Sequence, residues 1–437
     1  MKRHRWHLLA LMLVLVLAAV AAGCGGDDDE EGAATTGETE AVSGSVSVMA
    51  VWTGPEQQGF QAVLDGFTEA NPDVNVRYTS AGDQLPTQLS TAVEGGNPPD
   101  IAVLPQPGLM RDFAEQDALQ PIDFAQEDVQ NNLGESAVQL GTVDGTLYGF
   151  LFKAANKSTV WYNVAAFEDA GVEPPESWDD FISAADTIRS SGVPAYSIGG
   201  ADGWTLTDLF ENIYLRSAGA EKYDQLSTHE IPWTDQSVKD ALTEMAKVIG
   251  NGDNIAGGTA GALQTDFPTS VSNVFAEDPK AAMVIEGDFV PGVVESPLQP
   301  ETGFNVFQFP SFGDEPASVV GGGDTVVMFK DSPAAQALIR YLTTEDAARR
   351  WAEKGGFASL NKDLDASVYP DPVTQTTAGA LAEAEVFRFD LSDLQPAAFG
   401  GTVGQGLFKL FQDFLRNPNN VDGIAQQMET AAARAFG

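Results

Sequence analysis

The chain has 437 residues, 43% of them hydrophobic, enough for two or three packed lobes, and its 63 Asp+Glu against 23 Lys+Arg give a formal charge of −40. A surface that acidic repels phosphate backbones and excludes nucleic acid as a partner. A single cysteine rules out an internal disulfide and a cysteine-based zinc site, and His4, His7 and His229 leave little material for a catalytic triad or a histidine-rich metal centre.

At the start, Lys2, Arg3 and Arg5 precede an uncharged apolar stretch from Leu8 to Ala22. It is shorter than the roughly 20 residues that cross a bilayer, and residues 1–23 read as an export signal. The run Ala21-Ala22-Gly23-Cys24 resembles a bacterial lipobox, with Ala21 where leucine is common. That resemblance implies cleavage before Cys24, lipid on its thiol and a protein held on the extracytoplasmic side of the cell membrane. The alternative is an uncleaved signal anchor with an incidental cysteine. Residues 24–44 are Gly, Asp, Glu, Ala, Thr and Ser with almost no large apolar side chain, the composition of a flexible acidic linker. Asp27, Asp29, Glu31, Gly32 and Glu38 approach the spacing of a calcium loop, but no amphipathic helix flanks them.

The folded part opens with Val46, Val48 and Ala50 in a run apolar on both faces, the pattern of a buried strand, followed by a loop at Trp52-Thr53-Gly54-Pro55. Phe60, Val63, Leu64 and Phe67 follow at helical spacing, and Asn71-Pro72-Asp73 ends that helix. Val74 to Tyr78 and Ile101 to Leu104 read as strands around a helix marked by Leu85, Leu89 and Val93. Strands at Tyr148–Phe152, Val160–Tyr162, Ala281–Ile285, Phe304–Phe309 and Thr325–Phe329 are expected, with helices at Asn163–Ala170, Trp178–Ser190 (Ser177 as N-cap) and Thr207–Ser217. Beyond Pro333 the pattern is mostly helical, through Ala347–Lys354, Gln375–Ala384, Leu407–Leu415 and Val421–Ala435. Alternating strands and helices with short loops imply an α/β fold.

Five segments spread over the chain carry a family likeness: Phe67–Val76 (FTEANPDVNV), Gly95–Ile101 (GGNPPDI), Val160–Asn163 (VWYN), Pro174–Phe181 (PPESWDDF) and Ala282–Phe289 (AMVIEGDF). Their order and spacing resemble the family 1 extracellular solute-binding proteins, the substrate-capturing subunits of ABC sugar importers. Asp100–Gly108 (DIAVLPQPG), Gly203–Asp208 (GWTLTD), Lys354–Lys362 (KGGFASLNK) and Phe387–Ala397 (FRFDLSDLQPA) resemble the alpha-glucoside-binding branch. The resemblance implies a type II periplasmic-binding-protein fold, two three-layer α/β lobes joined by a three-segment hinge. Crossings are expected near Phe152–Asn156, Phe309–Phe312 and Ala358–Leu360. The N-terminal lobe would take 45–154 and 312–358, and the C-terminal lobe 155–311 and 359–437. It also implies a monomer that delivers a carbohydrate to permease subunits in the membrane, without a cofactor and without covalent chemistry.

A pyranose presents an apolar C–H face and a rim of hydroxyls, so its site needs flat aromatic rings and strong acceptors. Trp52, Trp204 and Phe289 are the expected platforms; Phe289 stands where the family usually carries tryptophan. Gln106, Lys157, Asp202, Asp208, Asp288 and Asp324 are the expected polar partners. Competing roles exist for several of these: core packing for Trp52, a hinge ion pair for Lys157, helix capping for Asp202 and Asp208, an ordinary turn for Asp324. The rival reading is a lipid-anchored glycoside hydrolase that uses two carboxylates about 5 to 10 Å apart. No Gly-x-Ser-x-Gly elbow, phosphate loop or dinucleotide fingerprint is present in the sequence.

Overall fold

The computed structural model describes residues 42–293, 298–313, 315–316 and 318–437; the leader, Cys24 and most of the linker lie outside the described residues. In chain order the strands are β1 Gly44–Ala50, β2 Val74–Ser80, β3 Ile101–Leu104, β4 Thr142–Val143, β5 Thr146–Leu147, β6 Gly149–Asn156, β7 Thr159–Asn163, β8 Tyr196–Ser197, β9 Met283–Ile285, β10 Phe304–Gln308, β11 Ser318–Met328 and β12 Val386–Phe389. Apart from the small β4–β5 hairpin they form two sheets. The larger runs β12-β11-β3-β1-β2, with β6 on the other edge of β11, and the smaller runs β10-β7-β9-β8.

The apolar pattern explains why each sheet is covered on both faces. In β1, Val46, Val48 and Ala50 enter one core with Phe60, Phe67 and Trp351, while Met49 packs on the opposite side with Leu85, Leu89 and Phe113. In β7 the same two-residue period sends Val160 and Tyr162 into one core and Trp161 into another with Phe275 and Val284. β1 lies parallel to β2 and β3, whereas β11 runs antiparallel to both β3 and β6. The fold is thus the expected α/β class with two layered sheets. Ser177 caps its helix, its Oγ accepting the Asp180 N–H at 3.2 Å.

The chain changes sheet three times. Lys157 and Ser158 link β6 to β7, and the stretch after Gln308 leads from β10 back to β11. The third change comes later than Ala358–Leu360. Phe357 and Tyr369 still pack in the core of the larger sheet, and β12 pairs in parallel with β11 from Val386 to Phe389. Only after Asp390 do helices Gly406–Arg416 and Val421–Ala435 join the core of the smaller sheet, where Phe411, Phe414, Ile424 and Met428 are buried. Strand β12 therefore stays with the larger sheet through its bonds to β11, while Val373, between Tyr369 and β12, is buried with Trp161 and Phe275 in a core of the smaller sheet.

Trp351 is the side chain on which the first core closes. It is 1% exposed, meets Trp52 edge-on with centroids 4.6 Å apart, and stacks on Phe357 at 5.1 Å. Trp351→Ala would leave a large cavity among rigid rings, and we expect a loss of about 3–5 kcal/mol in unfolding free energy. Urea unfolding of the variant measures it; a loss below about 1 kcal/mol would show that the site collapses around the gap.

Candidate functional site

Parallel strands end on one edge, and the loops after β1, β2 and β3 therefore converge. Trp52 and Glu56 follow β1, Asp83 and Gln84 follow β2, and Gln106 follows β3; all line one wall of a cavity of about 490 Å³. Lys153 of β6 and Asp324 of β11 belong to the same wall, and the register of this strand pair shifts between Asp324 and Thr325. The facing wall comes from helix starts and loops around the smaller sheet: Asp202 and Trp204, Asp266 and Phe267, and Phe289 beyond β9. Ser392, Asp393, Gly401 and Phe408 complete the lining.

Aromatic rings gather on the facing wall. Trp204 and Phe267 meet at 5.0 Å and 61°, and Phe267 and Phe289 at 5.4 Å and 79°, so the three pack edge to face. Trp204 opens the helix Trp204–Ala218, whose N-cap is Gly203 at φ 96°; Asp202 does not cap it. A side chain at position 203 would strike Phe408, its Cβ falling 2.6 Å from the Phe408 Cβ. Trp52, by contrast, is 2% exposed, and its Nε1 donates to Asp324 Oδ2 at 3.2 Å.

Both lysines of the lining are already engaged. Lys153 Nζ lies 2.6 Å from Glu56 Oε1 and 5.3 Å from the centres of the Phe289 and Trp351 rings. Lys157 Nζ lies 3.2 Å from Asp208, 2.5 Å from Asp390 and 3.5 Å from Asp393. Burial pulls the Lys157 ammonium down, but these three charges outweigh it and hold it well above the usual lysine range. Asp390 is the anion of the group, held below its ordinary value by Lys157 against its own burial. Burial pushes Asp208 up to about 8 and Asp393 well above the carboxylate range.

Three further carboxyls carry unusual proton affinities. Burial raises Asp324 to about 6 and Asp288 to about 7, each opposed by the Lys153 charge. Asp83 is raised to about 7, first by desolvation and next by the charge of Asp202 across the cleft. Gln106 is 6% exposed; its Nε2 donates to the Gly401 carbonyl at 3.1 Å, while its Oε1 has no partner among the described residues.

Of the residues singled out in the sequence, Trp52, Gln106, Lys157, Asp202, Trp204, Phe289 and Asp324 line the cavity. Asp208 and Asp288 do not: Asp208 lies behind Lys157, one helical turn on from Trp204, and Asp288 is buried beside its lining neighbour Phe289. Cys24 lies outside the described residues. Glu56, Asp83, Lys153, Asp266, Phe267 and Asp393 join the lining without having been singled out. Lys153 had a signal, a charge inside the apolar run Phe150-Leu-Phe-Lys-Ala-Ala; so had Asp266, an N-cap ahead of Phe-Pro.

The description of the bacterial extracellular solute-binding protein family matches residues 52–349. The osmoprotective compounds-binding protein GgtB of Synechocystis sp. is 33% identical over 370 residues, 83% of this chain and 87% of its own. The alpha-glucosides-binding periplasmic protein AglE of Rhizobium meliloti is 33% identical over 397 residues, 87% of this chain and 85% of its own. Among solved structures, the bacterial solute receptor AcbH, with a preference for β-D-galactopyranose, superposes with a TM-score of 0.79 at 19% identity, over 90% of this chain and 99% of its own.

The raised carboxyls make a prediction about pH. Asp324 and Asp288 bind protons more tightly folded than unfolded, so their contribution to stability is complete below about pH 4 and is lost as pH rises through about 6 to 7. Asp390 works the other way and loses its contribution only as pH falls through its depressed folded value. We expect the urea midpoint to fall from pH 5 to pH 8, and Asp288→Asn to flatten that fall. An equal slope in wild type and variant would remove Asp288 as a source.

Proposed function

The chain belongs to the bacterial extracellular solute-binding protein family, and from that premise we propose that it captures a carbohydrate, an alpha-glucoside or short oligosaccharide, for an ABC importer. It is a binding protein and not an enzyme. The observation that carries the carbohydrate reading is the cavity between the two sheets, where Trp204, Phe267 and Phe289 stand together with acceptors from both walls. Rings of this kind take the apolar face of a pyranose, and carboxylates accept from its hydroxyls without titrating.

The residues we assign to the ligand are Trp204, Phe289, Gln106, Asp202 and Asp324, with Lys157 and Trp52 holding the wall behind them. A sugar held from both walls favours the closed arrangement, since only that arrangement contacts it on both sides. One lobe comprises the larger sheet with β12, and the other the smaller sheet with the C-terminal helices; the three changes of sheet form the hinge. The closed, loaded monomer docks on permease subunits, tethered to the extracytoplasmic face through lipid on Cys24 and the linker that follows it. The AglE likeness supports the ligand class.

Thermal unfolding with a panel of mono- and oligosaccharides tests this, because a ligand that binds only the folded state raises the midpoint. Trp204→Ala removes about 1.5–3 kcal/mol of apolar contact, roughly a ten- to hundred-fold weaker Kd, and should abolish the largest shift. Steady release of product from maltose or trehalose would overturn the reading in favour of a hydrolase. An unchanged shift in the variant would take Trp204 out of the site.

A further inference from the structure

Beside the cavity the two walls touch backbone to backbone. Gly356 follows the helix Glu345–Ala352 and lies between Trp351 and Phe357, both buried in the core of the larger sheet. Gly292 ends the turn Val290–Gly292 beyond β9, and Phe289 and Val290 before it are buried in a core of the smaller sheet. A Cβ on Gly356 would overlap the Cα and N of Gly292. One on Gly292 would stand 3.3 Å from the Gly356 Cα and 3.4 Å from the Glu56 Cγ. The obstacle on each side is main chain, which cannot step aside by changing rotamer.

The two glycines are required for different reasons. Gly356 sits at φ 65°, in the left-handed region that glycine enters without penalty. Gly292 is not among the residues with positive φ, so only the lack of room asks for glycine there. A second contact spans the same gap: Lys153 of β6, paired with Glu56 at 2.6 Å, holds its Nζ 5.3 Å from the centre of the Phe289 ring. Glu56, Lys153, Phe289 and Val293, the neighbour of Gly292, all line the cavity. The closest approach of the walls at Gly292 therefore fixes how far Phe289 stands from the larger sheet, and with it the width a ligand has to fill.

We propose that Gly292 and Gly356 form a steric seat that sets how far the lobes close, which makes them positioning residues for ligand binding. Bulk at position 292 stops the lobes short, so a ligand resting on the smaller sheet's rings loses part of its contact with the opposite wall. Encounter with the open cleft is unaffected, and the loss falls on the lifetime of the complex. This rests on the carbohydrate reading above for its ligand, and on the geometry of the two glycines for its mechanism.

The test compares Gly292→Ala and Gly292→Leu with the parent in the full chain carrying Cys24→Ser, with maltose and trehalose as probes. Spin labels on cysteines placed at the exposed Glu94 of the larger sheet's lobe and Thr243 of the smaller sheet's lobe report the separation of the lobes. With sugar bound, the parent should show the separation that the structure sets. Gly292→Leu should bind at least about ten-fold more weakly through faster dissociation, and its lobes should stay further apart at saturating sugar. Gly292→Ala should fall between the two. Unchanged near-ultraviolet circular dichroism checks that the variants keep their cores. Binding of Gly292→Leu within about three-fold of the parent, or full closure at saturation, would overturn the seat and leave the carbohydrate reading standing. If neither sugar binds the parent, the alpha-glucoside reading falls and the free protein decides the seat. A closed population in the parent that Gly292→Leu loses supports it, and matching separations, or no closed population in either, overturn it.

Discussion

Lys157 stands on the two-residue link between β6 and β7, and its ammonium is gripped by Asp208 from one helix and by Asp390 and Asp393 from the segment where the chain leaves the larger sheet for the last time. Two of the three changes of sheet are thereby pinned to one charge. A buried ion pair adds little net stability over an apolar equivalent, but removing one partner costs about 3–5 kcal/mol because the other is stranded. Such a cluster therefore specifies an arrangement more than it stabilises one. The link is held in place by Asn156 Oδ1, which accepts the Ser158 N–H at 2.9 Å, and by Asn212, whose Nδ2 donates to the Lys157 carbonyl at 2.8 Å.

The cleft inherits its character from this junction. Lys157 Nζ is 5.8 Å from the centre of the Trp204 ring, so the ammonium that organises the crossing also stands against the aromatic wall. Lys153 repeats the device beside Phe289. With both cations fixed by the scaffold, the ligand meets rings and acceptors, a surface suited to a molecule that is apolar on its faces and donates around its rim. No covalent step is asked of any of these groups, and the raised proton affinities among them follow from crowding carboxylates into a partly dry space.

Much of this was legible in the sequence where the information is local. The two-residue period of β1 and β7, the Ser177 cap, the loop after β1 and the Gly203-Trp204 corner each depend on a few neighbouring residues. Contacts between distant segments were not legible in the same way. Asp83 has no distinguishing neighbours in the chain; only the fold brings it into one cavity lining with Asp202. Asp288 and Phe289 are adjacent, yet one is sequestered and the other lines the cavity, a choice made by the packing around β9. Strand β12 has four residues, one of them Arg388 and another the exposed Phe387, so its apolar pattern is too short to reveal the edge of a sheet. The helices Pro107–Glu115 and Phe267–Phe275 each carry a proline at the N-terminus, which reads as a turn unless the following turn is weighed with it.

The late arrival of β12 has a consequence for how the molecule comes into being. Its partner β11 begins at Ser318, and β11 itself must find β3 and β6, which were made far earlier. A chain emerging from its N-terminus first cannot close the larger sheet until Phe389 has appeared, and the smaller sheet's core waits longer still for Phe411, Ile424 and Met428. Pairings so distant along the chain form slowly, since loop closure precedes any gain from contact. The core of the smaller sheet accordingly stays incomplete until the helices Gly406–Arg416 and Val421–Ala435 are made.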